Sequence, residues 1–154
     1  MKRIFNLALL SIVASLSAMV FAGTPVKTSE LPRNAQTFLT KYFAGDNVRK
    51  AEKDQGYRGM EFEVDLQSGA EIDFRENGDW KEVKAAHGKT VPAAIVPAAI
   101  ADHVAKNYKG QSIVEISRKR GGYEVELSNG TELKLTENGQ PMAPRNGGQR
   151  SGRH

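Results

Sequence analysis

The sequence contains no cysteine. That excludes a disulfide framework, a thiolate metal ligand, a catalytic thiol and a lipid anchor on an N-terminal cysteine. The fold must hold by its apolar core alone, which suits an exported bacterial protein better than a small secreted eukaryotic domain. Histidine is scarce too. His87, His103 and His154 are the whole set, and no two stand at the i, i+4 spacing that pairs metal ligands on a helix. A Gly-x-Ser-x-Gly elbow, a phosphate-binding glycine loop and a dinucleotide fingerprint are absent. With no assembled nucleophile, base or metal set, the chain reads as a non-enzyme without catalytic residues, cofactor or metal.

Long apolar runs are absent beyond the first residues. Lys2 and Arg3 precede an apolar run over residues 4–21, and Val20, Phe21 and Ala22 close it with a small residue where a signal peptidase cuts. At about 18 residues, the run lies near the lower limit for spanning a bilayer. Residues 1–22 are expected to be a cleaved signal peptide, with no stable membrane insertion afterwards. The expected location is periplasmic or secreted, from a Gram-negative cell.

An excess of positive charge is missing where a nucleic-acid binder needs it. The formal net charge is +4. Five of the 22 basic residues (Lys2, Arg3, Arg145, Arg150, Arg153) lie outside residues 24–142, which leaves 17 against 18 acidic residues there. A folded body without basic surplus does not fit nucleic acid.

What is present is a repeat. Leu31-Pro32 and Val96-Pro97 open two similar stretches, 65 residues apart. Gly45 matches Gly110 and Gly56 matches Gly121. After a four-residue deletion, Gly69 matches Gly130 and Asn77-Gly78 matches Asn138-Gly139. Each stretch begins with a helix pattern. Ala35, Phe38, Leu39, Tyr42 and Phe43 form one apolar stripe. Ile100, Val104 and Tyr108 form a thinner one, with His103 where Phe38 stands. The motif VPAAI occurs twice, at residues 91–95 and 96–100, so the start of the second helix stays open.

Strands follow. Met60, Phe62, Val64 and Leu66 alternate with charged residues, as do Ile72 and Phe74. Leu66 and Ile72 share a face only if the hairpin loop is odd in length, which calls for a three-residue or bulged turn with Gly69 left-handed. Gly130 has the same place between Leu127 and Leu133. Further strands are expected near residues 48–55 and 113–120. Trp80 shares parity with Phe74, which places it in the core. The expected fold is α+β, a tandem repeat of a helix packed on a three- to four-stranded antiparallel sheet. Its bounds are 23–86 and 87–142, followed by a disordered Arg/Gly-rich tail at 143–154.

The Leu-Pro helix starts, EIDFRENGDWKEV at residues 71–83 and YEVELSNGTELKL at residues 123–135 resemble the PepSY-like, β-lactamase-inhibitor-protein-like family of exported bacterial proteins. The resemblance covers about residues 29–142. It implies a tandem helix-on-sheet architecture and export. It also implies a protein partner, because PepSY domains are proposed to restrain peptidases and β-lactamase inhibitor proteins block an enzyme with an open sheet face. No inhibitory motif of that family carries over to specific residues.

The residues themselves single out the polar face of the first hairpin. With Leu66 set opposite Ile72, Glu63 faces Arg75 and Asp65 faces Asp73. The second hairpin then pairs Glu126 with Lys134 and is balanced. Glu61, Glu63, Asp65, Glu71 and Asp73 form the candidate protein-binding face. Tyr57, in a Gly-flanked loop absent from the second repeat, is a candidate beside it. Calcium is a weaker occupant, since strand side chains spread too widely to supply six to eight oxygens. The expected function is protein binding, inhibiting or modulating an exported enzyme such as a peptidase. The alternative is a small-ligand or envelope-associated module that uses a groove between the two repeats.

Overall fold

The computed structural model describes residues 23–143. The expected signal peptide and all but the first residue of the expected tail therefore lie outside the described residues. Strand β1 (Thr24–Pro25) and a 3-10 turn (Thr28–Glu30) lead into helix α1 (Arg33–Tyr42). Strands β2 (Val48–Gly56), β3 (Gly59–Leu66), β4 (Glu71–Arg75) and β5 (Trp80–Lys84) follow. Helix α2 (Ala98–Asn107) then precedes β6 (Ile113–Lys119), β7 (Gly122–Leu127) and β8 (Glu132–Thr136). The strands form one antiparallel sheet in the order β1 to β8. β5 joins the halves, pairing with β4 on one side and with β6 on the other.

Both helices start directly after a proline, Pro32 or Pro97, whose missing N–H costs nothing at that position. The first VPAAI copy makes a turn instead, Ile95 N–H donating to the Pro92 carbonyl at 2.9 Å. Ala35 and Leu39 of α1 and Ile100 and Val104 of α2 are buried, in one core with Val64, Ile72, Phe74, Val83, Ile116 and Val125 of the sheet. Phe38 meets Phe74 edge-on, with centroids 5.5 Å apart. Trp80 is buried, as its parity with Phe74 implies.

The cross-strand register differs from the expectation by two residues. Val64, not Leu66, stands opposite Ile72. The turn chemistry is the reason. Gly69 has φ of 94°, and Leu66 N–H donates to the Ala70 carbonyl at 2.8 Å, so the loop holds only three residues and Leu66 faces Ala70. Parity survives a shift of two, so every apolar residue keeps its face while each charged residue changes partner. Glu61 faces Arg75, Glu63 faces Asp73 and Asp65 faces Glu71. In the second hairpin Glu124, not Glu126, faces Lys134, and Glu126 faces Glu132. That hairpin is therefore not balanced.

The Tyr57 loop is also corrected. Gly56 pairs with Gly59, so Tyr57 and Arg58 form a two-residue turn. In β6–β7, Lys119 pairs with Gly122 around a turn of the same length. The four extra residues lengthen both strands of the β2–β3 hairpin and insert no loop. Gly56 is thus a strand residue, whereas Gly121 is a turn residue with φ of 84°.

Candidate functional site

Alternation puts the core side chains on the helix-bearing face of the sheet and the charged ones on the opposite face. The cross-strand registers order these into rows across neighbouring strands, which lie about 4.8 Å apart. One row runs Glu52, Glu63, Asp73, Glu82, Ser117, Glu124, Lys134. The next runs Lys50, Asp65, Glu71, Lys84, Glu115, Glu126, Glu132. Four carboxylates therefore stand side by side from β2 to β5, and three from β6 to β8.

Partners for these carboxylates are few. Lys81 Nζ lies 2.6 Å from Glu61 and 3.9 Å from Asp73. Arg49 holds Asp65 at 2.9 Å, Lys50 holds Glu52 at 2.9 Å and Lys84 reaches Glu71 at 3.4 Å. Among the described residues, Glu63 and Glu82 make no ion pair. The electrostatic consequence concentrates on Asp73. Partial burial, and then the Glu82 carboxylate beside it, push its carboxyl up to about 6; Lys81 opposes this, and Glu63 and Glu61 add to it. Glu115 is raised as well, by burial first and then by Glu82 and Glu126. Burial alone would lower Lys81, but its hydrogen bond to Glu61 and the surrounding carboxylates leave it raised.

The structure thus brings Glu61, Glu63, Asp65, Glu71 and Asp73 together on one uncovered face. It places Tyr57 apart from them, fully exposed at the tip of the β2–β3 hairpin. Glu52 and Glu82, which complete the four-carboxylate row, escaped the sequence reading. In β2 only Val48 and Ala51 mark the inward face, on either side of a bulge, and in β5 a register shift opposite Asp73 and Phe74 breaks the alternation around Lys81. The remaining signal for Glu82 is its spacing from Val83, a buried residue on the opposite face.

Among the described residues, no group of three or more His, Asp or Glu could hold a metal ion. Nor is any helix there long and apolar enough to cross a membrane.

Residues 60–142 match the family described as "Putative beta-lactamase-inhibitor-like, PepSY-like". A "putative calcium-regulated periplasmic protein" of Bacteroides thetaiotaomicron is 33% identical, with a TM-score of 0.73, over 78% of this chain and 94% of that one. A "putative periplasmic protein" of the DUF2874 family from Bacteroides vulgatus is 32% identical over the same shares, also with a TM-score of 0.73. A further "putative periplasmic protein of unknown function" of Bacteroides vulgatus is 30% identical with a TM-score of 0.71 over 76% of this chain and 93% of that one. No curated protein is similar enough to count as a match. The chain belongs to the PepSY-like family, and its α+β fold agrees with that membership.

Proposed function

We propose that this chain is an exported, non-enzymatic binding protein whose uncovered acidic sheet face docks a basic surface of a partner protein. The partner is an exported enzyme, such as a peptidase, that the docked chain restrains or modulates. One observation carries this reading: Glu63, Asp73 and Glu82 stand directly opposite one another across three strands, with Glu52, buried and paired with Lys50, extending the row at the edge. Directly opposed like charges destabilise a sheet, each pair by roughly 0.2–1 kcal/mol. Solubility alone asks for charge, not for like charge in register. A basic partner surface would relieve the repulsion and speed encounter. The periplasmic relatives support export.

The chain also reads as two copies of a β-α-β-β-β unit. β5 then corresponds to β1, since each precedes a helix and pairs with the strand that follows it. The boundary expected at 86/87 moves to about 79/80, and the face joins both copies.

The test is the double variant Glu63→Lys, Glu82→Lys. It converts the Glu52–Glu63, Glu63–Asp73 and Asp73–Glu82 pairs into opposite-charge pairs and breaks no ion pair, so the fold should be at least as stable as the natural chain. Immobilised natural chain should retain a basic protein from periplasmic extract in a salt-sensitive manner, and the variant should not. Equal retention by both, with the variant folded, would show a merely solvated face.

A further inference from the structure

A second charged feature lies at one end of the sheet, and its sign is opposite. The β2–β3, β4–β5 and β6–β7 turns all lie at this end. The middle hairpin stops two pairs short of β2–β3. Its last β4 residue, Arg75, pairs with Glu61, while β3 continues two residues further to Gly59. Its turn folds away onto α1, where a Cβ at Gly78 would meet the Ala35 nitrogen at 2.9 Å. The β2–β3 hairpin therefore stands above it on one side, the β6–β7 turn flanks it on the other beyond Lys119–Gly122, and between them lies a notch of about 820 Å³. Tyr57 and Arg58 come from one wall, Arg118, Lys119 and Arg120 from the other, and Arg75 from the floor.

The charge balance in this notch is one-sided. Of its two carboxylates, Glu61 is engaged by Lys81. Among the described residues, Arg58, Arg75, Arg118, Lys119 and Arg120 make no ion pair within 4.0 Å. The Arg118 guanidinium lies 4.1 Å above the Trp80 ring, which holds its plane fixed. Its Nε is the one buried side-chain polar atom without a hydrogen-bond partner among the described residues. This N–H is closed off from solvent, so only the fork's other donors can meet a ligand.

We propose that this notch binds a phosphate-bearing anion. A phosphate monoester carries close to two charges and three acceptor oxygens, and so engages several guanidinium forks at once. A single carboxylate would leave most of the five cations unmatched. The volume lies in the range of small-molecule sites, and exposed Tyr57 offers a ring at the lip for the rest of the molecule. The phosphate can belong to a free small molecule or to a lipid headgroup. The inference rests on different residues from the acidic face and stands or falls separately.

Trp80 is the only tryptophan, and Arg118 covers its ring, so indole fluorescence reports on the site. The protein, purified after expression of the full chain, is titrated with inorganic pyrophosphate at constant ionic strength. In parallel it is sedimented with phosphatidylglycerol vesicles, with phosphatidylcholine vesicles as control. The expected result is a saturable fluorescence change with pyrophosphate, selective sedimentation with phosphatidylglycerol, or both. Arg58→Glu with Arg120→Glu, at the two exposed turns, should weaken that binding at least tenfold without changing the melting temperature. Pyrophosphate saturation alone identifies a free ligand, and sedimentation identifies a headgroup. Neither response, an unchanged affinity in the double variant, or saturation by polyglutamate but not by pyrophosphate overturns the proposal.

Discussion

Replacing Asp73 by Asn should stabilise the protein at pH 7.5 and should do nothing at pH 4. The reasoning begins with its neighbours. Glu63 of β3 stands opposite on one side and Glu82 of β5 on the other, while Glu61 lies nearby on β3 and Lys81 of β5 offers a cation at 3.9 Å. Burial and these carboxylates move the Asp73 carboxyl from 3.8 to about 6. That displacement corresponds to about 3 kcal/mol between ionised and neutral forms. About a third of the side chain, 34%, stays exposed, and solvent screening reduces the usable part to about 1.5 kcal/mol.

The sign follows from linkage. The folded state holds this proton more tightly than the unfolded chain does. Stability from this group is therefore fully present below about pH 4 and is lost as pH rises through about 6. Asn carries no charge at any pH, so the variant keeps what the natural chain loses. Urea melts from pH 4 to 8 should show the natural chain weakening over that window. The variant should keep only the smaller slope that Glu115, also raised, contributes with the same sign. At pH 7.5 the variant should gain about 1–2 kcal/mol, or several degrees in melting temperature. Glu82→Gln should share part of this gain, so the double variant should gain less than the sum. A natural chain whose stability is flat from pH 4 to 7.5, together with no gain in Asp73→Asn, would refute the reasoning.

Other substitutions test packing and backbone. Phe74 is fully buried under Phe38, and Phe74→Ala should cost about 3–5 kcal/mol in urea unfolding. Gly69→Ala and Gly139→Ala both force a positive φ, of 94° and 73°. A Cβ at Gly69 meets open space, so that variant should lose only about 1 kcal/mol, whereas one at Gly139 lands on the Ala99 carbonyl and should lose clearly more. Calcium at about 2 mM should shift the melting temperature by less than about 1 °C, since side chains on a flat row of strands cannot close around one ion with six oxygens. A larger rise would assign this chain a cation site.

The limits of the sequence follow from what period two encodes. Alternation in residues 60–66 and 71–74 reports which face each side chain takes, and every apolar assignment there held. It does not report register, because a slip of two residues preserves every face. Only the turn distinguishes Leu66 facing Ala70 from Leu66 facing Ile72, and the chemistry of Gly69 already favoured the former. The joining of the halves was illegible for another reason. β5 meets β6 through three pairs, Glu82 with Ser117, Val83 with Ile116 and Lys84 with Glu115, across a connection that contains α2. No local pattern announces a pairing so short and so distant.

The same distinction explains why the charged features were only half visible. The acidic cluster of β3 and β4 lies within one hairpin, and alternation exposes it. Its extension through Glu52 and Glu82 needs two further registers, each broken by a bulge: one between Val48 and Lys50, one around Lys81. The basic notch needs more still. Arg58 and Arg120 are 62 residues apart in the chain, and they face a common space only because the turn between theirs bends onto α1 while β2–β3 runs two pairs past it. The extra length of β2–β3 is thus one of the properties that make the site. The four residues that lengthen β2–β3 are what most distinguishes the first hairpin from the second. Shortening that hairpin by deleting Gln55, Gly56, Gly59 and Met60 should leave the sheet intact, since these residues lie beyond the last β3–β4 pair. It should also lower the wall that carries Arg58, and a loss of pyrophosphate binding in a folded variant would tie the extra residues to the notch.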